Sequence, residues 1–109
     1  MRIVFDNKDL EQLCLTDRLQ KKQLGQSGAR KLRARLADLM AAVRVTDLVA
    51  GHPHPLTGDR AGQFALRLDG GRRLVFEAEH DPPPLKDDGS LDWSRVTAIR
   101  IRFIGDYHD

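Results

Sequence analysis

The spacing of apolar residues along this chain changes period several times, and each change predicts a new element. The opening stretch MRIVFD, residues 1–6, predicts a β-strand that starts the fold. Leu10, Leu13 and Cys14 then recur at the i, i+3, i+4 spacing of a helix with one buried face, over Lys8–Leu15. Helical character extends toward Lys22, and Gly25 and Gly28 interrupt it around Ser27, a residue suited to cap the next helix. Over residues 29–43, Ala29, Leu32, Leu36, Leu39, Met40 and Val43 form one stripe of period 3.6, with Arg30, Lys31, Arg33, Arg35 and Arg44 mostly off it. That pattern predicts a core helix with a basic outer face.

From Asp47 the period is lost, and Pro53, Pro55, Gly58 and Gly62 exclude regular helix. Over residues 62–68, Phe64, Leu66 and Leu68 alternate with Gln63, Ala65 and Arg67, as in a strand with one apolar face. Asp69, Gly70 and Gly71 supply a hairpin turn, and the chain returns antiparallel through Arg73, Leu74, Val75, Phe76 and Glu77. Pro82, Pro83, Pro84 and Gly89 make residues 80–94 a loop, with Leu85, Leu91 and Trp93 expected to lie back on the body. Residues 96–104 predict a last strand. The order strand, helix, helix, then three strands places this chain in the α+β class, a mostly antiparallel sheet packed on two helices.

A length of 109 residues suits one domain, residues 1–109, and leaves no room for a second core. Hydrophobic residues at 40 % and charged residues at 31 % describe a folded domain with one modest core. Cys14 stands alone, so an internal disulfide is excluded, and no apolar run of membrane-spanning or signal-peptide length occurs. The cytoplasm is the expected compartment, with no membrane partner. The formal charge of +2 conceals an uneven distribution. Between Arg18 and Arg44 eight bases face one acid, Asp38, a net +7, whereas Glu77, Glu79, Asp81, Asp87, Asp88 and Asp92 fall in the last third. A basic surface of that kind either binds phosphate backbones or an acidic partner, or is a solvated helix face.

Three features carry candidate chemistry. His52 and His54 flank Pro53, and His108 lies one residue from the end. Imidazoles titrate near neutrality, so two of them beside a phosphodiester would serve as base and acid, although loop histidines are often without a task. No cysteine cluster, HExxH motif or carboxylate at ligand spacing accompanies them, so no metal site is expected. Arg73 begins an apolar strand; it would either pair with Glu77 or Asp69 or brace a phosphate in two-pronged fashion. Tyr107, the one tyrosine, would anchor the terminus or stack on a base. Phosphate-loop, dinucleotide-binding, nucleophile-elbow and cysteine-nucleophile motifs are absent, which excludes nucleotide-driven and acyl-transfer chemistry.

The ordered set HPLTGDRAGQFALRL at 54–68, RRLVFE at 72–77, LDWSRVTAI at 91–99 and DYH at 106–108, with the basic helix entry at 24–32, resembles the HigB-like killer toxins of type II toxin–antitoxin systems. These belong to the RelE/ParE superfamily. The resemblance implies a small endoribonuclease that needs neither metal nor cofactor, enters the ribosomal A site and cuts messenger RNA during translation. Carried onto matching positions, it makes His54, Arg73, Asp106, Tyr107 and His108 the catalytic candidates. Thr57, Arg60, Arg72, Arg30, Lys31 and Arg33 become the candidates for gripping RNA or ribosome. The family motif reads HPLKGDR, so Thr57 stands where a lysine would, and Arg60 is positioned to take over part of that cation's role. Also implied are a helix-turn-helix antitoxin, HigA-like, and operator DNA bound through it. The alternatives are a superfamily member that inhibits a protein target such as gyrase, and a decayed toxin that only binds its antitoxin.

Overall fold

A computed structural model describes residues 1–107; His108 and Asp109 lie outside the described residues. Strand β1 (Arg2–Phe5) is followed by helices α1 (Lys8–Leu15) and α2 (Asp17–Ala41), the two-residue strand β2 (His54–Pro55), and strands β3 (Gln63–Arg67), β4 (Arg72–Ala78) and β5 (Ala98–Asp106). The expected α+β architecture holds. The strands form one sheet in the order β1-β5-β4-β3-β2, antiparallel except that β1 joins β5 in parallel, Ile3 opposite Ile99. The β2 strand is an addition to the expected set. It escapes a periodicity argument because two residues carry no period.

Helix α1 begins as its sequence dictates, since the Asn7 side chain accepts a hydrogen bond from the Leu10 amide at 2.9 Å. It ends because Thr16 is extended, and that residue is also the N-cap of α2. The carbonyl of Cys14 is left without a helical partner there, and the Gln20 side chain donates to it at 3.1 Å. That bond explains a glutamine buried to 1 % exposure.

The second helix starts earlier than expected, at Asp17, and its break falls at Gly25, which has φ +73°. Ser27 lies inside the helical run and not at a cap. The break is stitched from the sheet. The Arg72 guanidinium donates to the Leu24 carbonyl at 2.6 Å and pairs with Asp69 at 3.2 Å, tying the helix kink to the β3–β4 turn. Gly28 makes room for this link, because a Cβ there would lie 2.7 Å from both the Arg72 Nη1 and the Leu24 Cβ. Gly28→Ala is expected to destabilise the protein by about 1–3 kcal/mol through overpacking, more than the ~1 kcal/mol that alanine gains in helix propensity. Urea denaturation checks the sign, and a stabilised variant would show that the kink relaxes freely.

The core lies between the helices and one face of the sheet. Leu32 and Leu39 of α2 and Leu13 and Leu24 meet Phe64, Leu66, Leu74, Phe76, Ile99 and Ile101. The expected helix stripe holds at Ala29, Leu32 and Leu39 and is corrected at its end, where Met40 is 70 % exposed and Val43 60 %. With Leu15, Met40 rims a groove of about 470 Å³ between β1, α1 and α2. The proline-rich loop lies back as expected through Trp93, whose ring meets Phe64 at 4.9 Å, and through Leu91; Leu85 is half exposed instead. Of the six acids noted in the last third, three form ion pairs among the described residues, Glu77 with Arg102, Glu79 with Arg100 and Asp92 with Arg95. The hydrogen-bonded Arg100 guanidinium holds the Glu79 carboxyl below the usual glutamate range.

Candidate functional site

Strand alternation divides the sheet's side chains between two faces, and the helices cover only one of them. Phe64, Leu66, Leu74 and Phe76 point to the helices, so Gln63, Ala65 and Arg67 on β3 and Arg73, Val75 and Glu77 on β4 point to the other face. The register then places residues side by side. One row runs His54, Ala65, Val75, Phe103, and a second runs Arg67, Arg73, Gly105. At ordinary sheet spacings, His54 and Arg73 are two strands and two residues apart, about 12 Å between Cα atoms.

His54 is delivered by a tight turn. Gly51 has φ +87° and His52 φ +49°, a left-handed conformation rare for a side-chain-bearing residue and rarer still before a proline. Such strain costs of order 1 kcal/mol and collects at functional sites. The turn also fixes the His54 ring, because its Nδ1 lies 2.8 Å from the His52 carbonyl oxygen. A carbonyl only accepts, so Nδ1 carries the proton. The neutral ring therefore presents a lone pair at Nε2, the arrangement of a general base, and the charged ring presents an N–H there.

Arg60 and Tyr107, 47 residues apart in sequence, meet directly. The Arg60 guanidinium lies 4.2 Å from the centre of the Tyr107 ring and 5.4 Å from that of Phe103, and the two rings stand edge to face at 6.1 Å. The short turn of residues 58–60 that carries Arg60 also carries exposed Thr57 at its entry, where the threonine side chain makes no capping bond. Arg73 reaches the Arg72 carbonyl with Nη1 at 3.1 Å and pairs with neither Glu77 nor Asp69.

Other candidates fall elsewhere. Arg72 points to the helix face and is engaged at the α2 kink, so the structure separates it from Arg73. Asp106 is the register partner of Arg72, with its carboxylate against Gly71. Arg30, Lys31 and Arg33 are exposed on α2, on the opposite layer from His54 and Arg73, and Arg33 reaches Asp17 and Gln20. His108 lies outside the described residues. Arg67 was not among the sequence candidates, although its alternation with Phe64, Leu66 and Leu68 was the signal that sets its face.

Burial pushes the Cys14 thiol up to about 12, which leaves it protonated and unreactive. Among the described residues no group of three or more His, Cys, Asp or Glu side chains is placed to hold a metal. No helix among them is long and apolar enough to cross a membrane.

No protein-family model and no curated protein matches the chain. Solved structures do. The YoeB/ParE toxin from Agrobacterium tumefaciens superposes with a TM-score of 0.62 at 13 % identity, over 99 % of this chain and 100 % of the other. Staphylococcus aureus YoeB, solved as a dimer and in complex with YefM, gives 0.58 at 16 % identity, over 100 % of this chain and 98 % of the other. At these identities the likeness is one of fold, end to end: this chain is built on the fold of the YoeB/ParE toxins.

Proposed function

We propose that this protein is the toxin of a type II toxin–antitoxin system, of the HigB-like branch of the RelE/ParE superfamily, and that it cuts messenger RNA on the ribosome. The observation that carries this reading is the shared helix-free sheet face of His54 and Arg73, with Arg60 and Tyr107 joined beside it on Phe103. The RNA supplies its own nucleophile, the 2′-hydroxyl. The protein must take that proton, brace the phosphate and return a proton to the leaving 5′-oxygen. His54 Nε2 is oriented to accept the first proton, and Arg73 to stabilise the extra charge of the pentacoordinate phosphorus. Tyr107, held by Arg60, offers a ring on which a base stacks. His108 is the proposed partner for the second proton transfer, and Asp106 a positioning residue. No metal or cofactor enters these steps.

Arg30, Lys31 and Arg33 form a second basic surface on the opposite layer, suited to ribosomal RNA in a salt-dependent way. The protein's cytoplasmic partner is then an antitoxin, helix-turn-helix and HigA-like, through which the pair reaches operator DNA. The Staphylococcus aureus fold neighbour was itself solved in complex with YefM. Purified protein added to a translating extract is expected to shorten messenger RNA within minutes and leave naked RNA intact. Intact transcripts together with a DNA-damage response in expressing cells would instead place the target on a protein such as gyrase.

A further inference from the structure

Arg67 and Arg73 are direct cross-strand partners in the β3–β4 ladder, so their side chains leave the same face with Cα atoms roughly 4.5–5.5 Å apart. Like charges placed directly opposite one another destabilise a sheet, whereas opposite charges stabilise it. Here neither guanidinium forms an ion pair among the described residues, while Arg72, Arg95, Arg100 and Arg102 all do. The third member of the row is Gly105, on the far side of Arg73. A Cβ there would lie 3.1 Å from the Phe103 ring, so the glycine lets that ring pack against the backbone beside Arg73. Beyond the two cations the row thus passes directly to the aromatic surface of Phe103 and Tyr107, with Arg60 over both rings.

We infer that Arg67 and Arg73 form one anion cradle that clamps a phosphodiester of single-stranded RNA, with the adjoining base directed past Gly105 onto Phe103 and Tyr107. The bound phosphate supplies the negative charge that this cross-strand pair lacks. Arg67 becomes a binding residue of the reaction, acting with Arg73 on the same group. The inference takes its ligand class from the ribonuclease reading, but its test does not need cleavage.

The probe is a fluorescent six-nucleotide 2′-deoxy strand, which lacks the nucleophile and stays intact. Binding by the wild-type protein is expected to weaken about tenfold in Arg67→Gln and in Arg73→Gln. Each variant should also flatten the plot of log affinity against log salt by about 0.7, the contribution of one single-strand phosphate contact. Because both arginines hold one phosphate, the double variant should flatten the slope little further. Arg67 is exposed, so Arg67→Gln should fold as the wild type does, and loss of the like-charge pair should leave its melting temperature equal or higher. An Arg67→Gln protein with wild-type affinity and salt slope overturns the cradle, as does a wild-type protein that does not bind the strand. Arg67-dependent binding without cleavage of messenger RNA on ribosomes upholds the cradle and overturns the ribonuclease reading alone.

Discussion

His54→Ala is expected to lower the rate of RNA cleavage on programmed ribosomes by about 100- to 10,000-fold, the range for removing a positioned proton-transfer group. The expectation rests on geometry: the His52 carbonyl holds Nδ1 at 2.8 Å, which leaves Nε2 as the free ring nitrogen, and the register puts His54 on the same sheet face as Arg73. His54→Asn offers a sharper version, because asparagine keeps a hydrogen-bonding side chain of similar reach and cannot take up a proton at neutral pH. Both variants should bind the uncleavable strand nearly as the wild type does, since His54 is not a cation of the cradle. Single-turnover kinetics separate the two effects. A loss below tenfold would remove His54 from the proton transfer and leave the strained turn at Gly51 and His52 without a catalytic reason.

Phe76→Ala is expected to cost about 3–5 kcal/mol, a large part of the 5–15 kcal/mol that a domain of this kind possesses. Phe76 is fully buried, stacks on Phe64 at 5.4 Å and meets the edge of Trp93 at 6.2 Å. Its removal empties the point where sheet, helices and the proline-rich loop converge. Phe64 is fixed in strand β3 and the fully buried leucines around Phe76 are held by sheet and helix, so the space closes only in part. Denaturant unfolding should show the midpoint collapsing, with the protein partly unfolded near 37 °C. Phe76→Leu, which restores most of the volume, should recover more than half of the loss. Equal stability of Phe76→Ala and wild type would place the cooperative core elsewhere.

These two outcomes separate the machinery of the open face from the body that holds it. Ala65 and Val75 occupy the same row as His54 and are themselves fully buried, so the open face is partly a packed surface. The reacting groups stand at its margins. Arg72 and Arg73, adjacent in sequence, illustrate the division, because strand alternation sends one to brace the α2 kink and the other to the open face.

Most element types were legible from the sequence. Helix α1, the β3–β4 hairpin and the basic outer face of α2 follow from local period, capping residues and turn residues, which depend only on neighbours a few positions away. The same alternation already held the faces of Arg67, Arg72 and Arg73, since Leu66, Leu74 and Phe76 fix the parity of each strand. What only the tertiary structure decided was which long-range partners close. The parallel insertion of β1 beside β5, the register that sets Arg67 opposite Arg73, the exposure of Met40 and the seating of Arg60 on Tyr107 each join segments distant in sequence. Local pattern states that a residue faces a surface. It does not state which surface arrives, because that depends on how the whole chain satisfies its strand edges and buries its apolar faces at once.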